Sequence, residues 1–209
     1  MKHPGLILAS KSSRRRRLLE QVGLDFGIVT SHVDERLAEG MSPESMVKAL
    51  AEAKAREVGD AHPQDWIIGA DTIVLIDGSI LGKPASTDTA RRMIQQLSGR
   101  VHQVLTGFTI YHAAGQTCIT GIEKTDVYFK QLSHAEIEWY LQTKEPFDKA
   151  GAYAIQGLGS FLVKQIHGSY SNVVGLPICE VLDHLFKTGV IEPASGGRWR
   201  MCEPGGSKQ

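Results

Sequence analysis

Three sets of polar residues in this sequence stand where the local pattern wants apolar ones, and their groups suit a phosphate, a cation or a metal. The first is Ser10-Lys11-Ser12-Ser13 with Arg14, Arg15, Arg16 and Arg17, set between the apolar run Leu6-Ile7-Leu8-Ala9 and a helical segment. A helix N-terminus offers unpaired N–H groups and a partial positive charge, and so favours phosphate. Hydroxyls ahead of it and arginines in the first turn add donors matched to phosphate oxygens. Four cations at this end oppose the helix dipole unless an anion is near. The plainer alternative is a serine cap followed by a solvated basic face.

The second stretch is a helix over 42–58, on which Lys54 follows Val47, Leu50 and Ala51 by seven, four and three positions and precedes Val58 by four. Lys54 therefore falls on the apolar stripe, where an unpaired ammonium is costly. A lysine reaching solvent from the stripe's edge is the alternative. The third is Asp71, inside Ile67-Ile68-Gly69-Ala70-Asp71-Thr72-Ile73-Val74. A carboxylate in so apolar a run needs a cation, a metal or N–H donors. A bend in which Asp71 bonds nearby backbone is the competing explanation. Lys83, in Gly82-Lys83-Pro84, ends the strand that follows. Glu35, in a polar loop after Asp34, would complete a partial site with Asp71 for a hard cation such as Mg²⁺, which prefers carboxylate and phosphate oxygens.

Other chemistries lack their motifs. There is no G-x-x-x-x-G-K-[ST] loop, no G-x-G-x-x-G after a strand, no H-E-x-x-H and no zinc-like Cys/His spacing. Lys plus Arg and Asp plus Glu number 23 each in 209 residues. A net charge of zero argues against a polynucleotide partner. Cys118, Cys179 and Cys202 are too sparse for a disulfide framework. No apolar run approaches the roughly 18 residues of a membrane span. With no targeting segment read near the N-terminus, the expected compartment is the cytoplasm. The residues alone thus indicate a small phosphorylated ligand handled with a metal.

These groups need elements to hold them. Strands are expected at Leu6–Ala9, 26–29, 66–76 and, after the Asp77-Gly78 turn, 79–81. Two long strands follow over 101–111 and 117–129. Shorter ones are read at Ala154-Ile155 and 160–166. Helices are expected over 14–22, over 42–58 behind Ser42-Pro43, over 87–97, after the Ser133–Glu136 capping box, and from Ile178 to Gly189. The pattern is a mixed sheet flanked by helices, α/β or α+β. From 194 onward the Gly, Ser, Pro and Arg content predicts a disordered tail behind a domain spanning 1–193.

Taken in order, Leu8-Ala9-Ser10-x-Ser12-x-Arg14-Arg15, Gly69-Ala70-Asp71-Thr72, Gly82-Lys83-Pro84, Asp148 to Gly157 and Gly168 to Pro177 resemble the Maf nucleotide pyrophosphatases over roughly residues 5–190. That resemblance implies an α/β fold with a mixed twisted sheet, similar to the inosine triphosphatases. It implies a homodimer that uses a divalent cation (Mg²⁺, Mn²⁺ or Co²⁺) to hydrolyse the α–β anhydride of a nucleoside triphosphate. Asp71 would be the acidic centre, and Glu35 would share the metal or the water. Arg15, Lys54 and Lys83 would hold the triphosphate, beside Ser10 and Ser12. Arg14, Thr72 and Gln156 match the branch acting on dTTP and UTP. Gln156 suits a pyrimidine edge because an amide both donates and accepts. A branch acting on 7-methyl-GTP or on modified nucleotides more broadly is the rival, as is a nucleotide-binding regulator of septum formation. Ser13 departs from the family pattern, which has proline there, and a looser phosphate loop would follow.

Overall fold

The computed structural model describes residues 5–202 and, of Glu35, only the backbone. Strand β1 (Leu6–Leu8) leads into helix α1 (Ser13–Gln21), then β2 (Gly27–Ile28), α2 (Pro43–Ala61), β3 (Trp66–Ile76) and β4 (Ser79–Leu81). Next come α3 (Thr87–Leu97), β5 (Val101–His112), β6 (Thr117–Phe129) and α4 (His134–Leu141). Three short 3-10 turns precede β7 (Val163–His167), α5 (Tyr170–Val174), α6 (Ile178–Lys187), β8 (Ile191–Ala194) and β9 (Arg198–Met201). One sheet orders its strands β2-β1-β3-β5-β6-β7, with β4 on β3. Strand β1 runs parallel to both β2 and β3, whereas β3/β4 and β6/β7 are antiparallel. The sheet is therefore mixed, and the fold is α/β.

The chain forms two compact units, and β3, β5 and β6 contribute residues to each. The first comprises the chain up to Asp71, Gly107–Ile122 and everything from Gly175. Part of its core is Ile7, Ala9, Ala55, Val58, Ile67 and Tyr111. Two glycines set how closely α2 lies on its strands. A Cβ on Gly69 would stand 2.3 Å from the Ala51 carbonyl, and one on Gly107 2.2 Å from that of Val47. The helix backbone thus lies directly on the strand backbone. Ser42 caps α2 by accepting the Ser45 N–H, and Pro43 opens its first turn.

The second unit comprises Thr72–Thr106 and Glu123–Val174. Its core gathers Ile94 and Leu97 of α3, Ile137 and Tyr140 of α4, and Val74, Val104, Val127 and Phe129 of the strands. The β3–β4 turn has φ of 49° at Asp77 and 75° at Gly78, as a two-residue hairpin turn requires. Ser133 and Glu136 form the expected capping box of α4.

Two expectations need correcting. Ala154-Ile155 is no strand, and residues 157–162 form a 3-10 turn instead. That turn is organised by a distant carboxylate, described below. Residues from 194 were expected as a disordered tail, but Ile191–Ala194 pairs with Arg198–Met201 in an antiparallel hairpin. Trp199 rests against Phe186, its backbone N–H donates to the Gly23 carbonyl, and Arg200 pairs with Glu192. The apolar alternation of Trp199 and Met201 outweighs the loop-like composition around it. Residues 203–209 of that expected tail lie outside the described residues.

Gly107→Ala places a methyl group against the α2 backbone, where no side-chain motion relieves it. It is expected to cost about 2 kcal/mol or more, lowering Tm by roughly 5 °C or more. A thermal melt with Tm unchanged would contradict the close helix–strand approach.

Candidate active site

The close seating of α2 brings Lys54 to Asp71. Lys54 Nζ donates to Asp71 Oδ1 at 2.5 Å, and the two side chains are only 14% and 13% exposed. Neither group is a snorkelling surface charge or a backbone-bonded bend residue. Each answers the other's buried charge, and such pairs persist where they are well bonded or serve a function. Asp71 is the last residue of the first unit along β3.

Helix α1 supplies a third charged group. Arg15 donates from Nε to the Gly175 carbonyl at 2.7 Å, and from Nη1 to the Ala70 carbonyl at 2.9 Å and to Ser10 Oγ at 3.3 Å. Its guanidinium thus ties the Ser10 loop, the residue before Asp71 and the Gly175 turn together. Burial pushes its pKa below the ordinary arginine value, the Asp71 carboxylate pulls it back up, and Arg14 adds to the lowering. Ser12 caps α1 by accepting the Arg15 N–H at 3.4 Å, and Ser10 Oγ accepts the Ser12 N–H. Helix α1 begins at Ser13 under that cap, so proline is not needed to start it. The run of four arginines divides. Arg16 turns to the surface and pairs with Glu20, Arg17 is exposed, and Arg14 is half-buried.

The remaining expected site residues belong to the second unit, apart from Glu35. Thr72 Oγ1 is 2.9 Å from Thr106 Oγ1, and the latter donates to the Asn172 carbonyl at 3.3 Å. Asn172 Nδ2 in turn donates to the Val104 carbonyl and to Thr125 Oγ1. Thr106, Thr125 and Asn172 are fully buried. Lys83 is exposed, in a loop whose Gly82 carbonyl accepts the Gly151 N–H at 3.0 Å. Gly151 and Ala152 both take positive φ, 68° and 60°. For a buried alanine that is an unusual backbone state of the kind found at functional sites. Gln156 is half-buried and immediately precedes the 3-10 turn.

Glu35 opens a short 3-10 turn, Glu35–Ala38, and its side chain lies outside what is described. Among the described residues no group of three or more His, Cys, Asp or Glu could cage a metal. Asp71 nevertheless suits a Mg²⁺-type ion, which is commonly held by one or two carboxylates plus substrate phosphates. Thr106, Thr125 and Asn172 were not singled out from the sequence. Nothing in their immediate sequence neighbourhood marks all three, and their partners lie 34 to 68 residues away.

A family described as "Maf-like protein" matches residues 5–188. A relative from Geotalea uraniireducens named dTTP/UTP pyrophosphatase is 50% identical over 187 residues, covering 90% of this chain and 96% of its own. Another of that name, from Halalkalibacterium halodurans, is 51% identical over 173 residues, covering 83% and 90%. The solved structure of the Staphylococcus aureus Ham1 protein matches at a TM-score of 0.53 with 12% identity, over 88% of this chain and 98% of that one. That likeness concerns the fold alone.

Lys54→Met strands the Asp71 carboxylate and is expected to cost about 3 kcal/mol in chemical denaturation. Adding Asp71→Asn is expected to restore about 1–2 kcal/mol of it, since the pair is coupled. A single-variant cost below about 1 kcal/mol would show that the pair is solvated.

Proposed function

Because the chain belongs to the Maf-like protein family, we propose that it is a dTTP/UTP pyrophosphatase, and that the Lys54–Asp71 pair is its reaction centre. The carrying observation is that buried pair, held at 2.5 Å beside an arginine whose guanidinium ties the Ser10 loop, β3 at Ala70 and the Gly175 turn together. The names of the relatives supply the substrates.

Addition of water across the α–β phosphoanhydride gives the nucleoside monophosphate and pyrophosphate. Asp71 accepts the proton that the attacking water loses. As the α–β bond breaks, its electron pair leaves on pyrophosphate, and Lys54 and Arg15 stabilise the charge that develops there. Lys54 can serve both partners because an ammonium has three donors. Ser10, Ser12 and Arg14 are assigned to the substrate around the same α1 N-terminus, and Lys83 is assigned to its phosphates. A divalent metal would be held by Asp71 and Glu35, and would neutralise phosphate charge and polarise the anhydride. Thr72 and Gln156 select the base, with the Gln156 amide pairing to a pyrimidine O4/N3 edge.

No helix among the described residues is long and apolar enough to cross a membrane. A cytoplasmic location rests on the sparse cysteines, and a homodimer on the family resemblance. The nucleotide-binding regulator of septum formation is the second reading, and catalysis is favoured over it. A pure binder has no use for an ion pair this costly to bury.

The test is pyrophosphate release from a panel of nucleoside triphosphates with Mg²⁺, Mn²⁺ or Co²⁺. Turnover of dTTP and UTP ahead of the others is expected. Preference for 7-methyl-GTP would place the chain in the rival branch, and binding without turnover would favour the regulator. Within that panel, Gln156→Glu sets an acceptor against the O4 carbonyl and should lower kcat/KM for dTTP and UTP roughly tenfold to a hundredfold. CTP, whose amino group donates, should lose least. A uniform drop over dTTP, UTP, CTP and 7-methyl-GTP would remove Gln156 from base selection.

A further inference from the structure

Gln156 precedes the turn Gly157–Leu162 in extended backbone and makes no capping bond to it with its own side chain. The bonds that a cap would accept go instead to Glu145. One carboxylate oxygen, Oε1, accepts the Leu158 N–H at 2.9 Å, and the other, Oε2, accepts the Gly159 N–H at 3.0 Å. Two N–H groups that a turn leaves unpaired thus end on a single charge, and charge-assisted bonds are the strong kind. Gly157 lies between Gln156 and these donors with φ 66°, and a Cβ there would stand 2.4 Å from Oε1. The carboxylate occupies the space that a side chain would need.

The same carboxylate is held from the other side. Tyr140, fully buried, donates its hydroxyl to Glu145 Oε2 at 3.4 Å. That hydroxyl also engages the backbone of Ala154, two residues before Gln156, as Leu158 is two residues after. Lys149 Nζ donates to the Glu145 carbonyl at 2.6 Å, and the Glu145 N–H donates to Thr143 Oγ1 at 3.3 Å. Gln156 is therefore bracketed on both sides by one Tyr140–Glu145 pair.

We propose that Glu145 is a positioning residue for base selection: its clamp on the Leu158 and Gly159 N–H groups fixes where Gln156 presents its amide. This rests on Gln156 reading the base. A 3-10 turn has weak internal hydrogen bonds, so its shape depends on outside partners. An amide can select a base edge only if both its donor and its acceptor are held in register, and groups on loops owe that register to supporting contacts. Loss of the clamp should relax selectivity, while phosphate binding, assigned to Arg15, Lys54 and Lys83, should be retained.

The experiment measures kcat and KM for dTTP, UTP and CTP, inhibition by inorganic pyrophosphate, and Tm. The proteins are wild type, Glu145→Gln, Glu145→Ala, Gln156→Ala and the Glu145→Gln/Gln156→Ala double variant. In Glu145→Gln an amide replaces the carboxylate and can accept only one of the two N–H groups well. The dTTP-to-CTP ratio of kcat/KM should then fall about tenfold, mainly through KM, with pyrophosphate inhibition unchanged. In the Gln156→Ala background the same change should leave the ratio where Gln156→Ala put it. If Glu145→Ala fails to fold, Glu145→Gln decides. A uniform fall over the three nucleotides, or a ratio effect that persists without Gln156, would overturn the proposal. So would a ratio altered by Gln156→Ala but not by Glu145→Gln, with base reading by Gln156 left standing. A ratio unmoved by Gln156→Ala would refute base reading itself, and the proposal with it.

Discussion

A lysine ammonium and an aspartate carboxylate, 2.5 Å apart and mostly shielded from water, set the terms for everything around them. Buried charges of this kind cost several kcal/mol each to desolvate, and only close, well-bonded geometry recovers that. The geometry is possible because α2 lies backbone to backbone on its strands, where Gly69 and Gly107 leave no side chain between. With alanines there the helix would ride higher, and Lys54 would no longer meet Asp71 at bonding distance. Arg15 then secures the surroundings by donating to the Ala70 and Gly175 carbonyls and to Ser10. The buried pair of the first unit is thus built by packing first and by charge second.

The second unit uses different means for related ends. Buried hydroxyls and one amide, Thr106, Thr125 and Asn172, hold Thr72 in a chain of hydrogen bonds. Glu145 holds the turn after Gln156 with a charge. Both devices fix residues assigned to base selection, whereas the Lys54–Asp71 pair is assigned to the anhydride. This division suits an enzyme whose chemistry is common to all nucleoside triphosphates and whose preference lies in a few polar contacts.

Much of this was legible in the sequence because its signals are local. Ser42-Pro43, Asp77-Gly78 and the Ser133–Glu136 box each specify an element end by chemistry within four residues, and each is seen where expected. Asp71 and Lys54 stood out as charges in apolar patterns, although nothing local showed that they pair. Partnerships across long separations were not legible. Arg15 to Gly175, Asn172 to Val104 and Glu145 to Leu158 leave no trace in spacing. Ser160–Leu162, the end of the 3-10 turn, was read as strand together with Val163–Ile166 for that reason, since the run has strand-like residues and the clamp is remote. The hairpin at 191–201 was missed because its glycines and arginines outweighed the Trp199 and Met201 alternation in composition.

The central claim, that Asp71 is the acidic group of a pyrophosphatase, is tested most directly by pyrophosphate release from dTTP by Asp71→Asn beside the wild-type protein. The exchange preserves volume and leaves Lys54 a hydrogen-bond acceptor, so the fold, checked by circular dichroism, should survive. Turnover should fall by about two orders of magnitude or more, since the amide can neither take the proton of water nor serve a metal as a carboxylate does. Turnover within a few-fold of wild type would contradict the account and make the buried pair a structural feature alone.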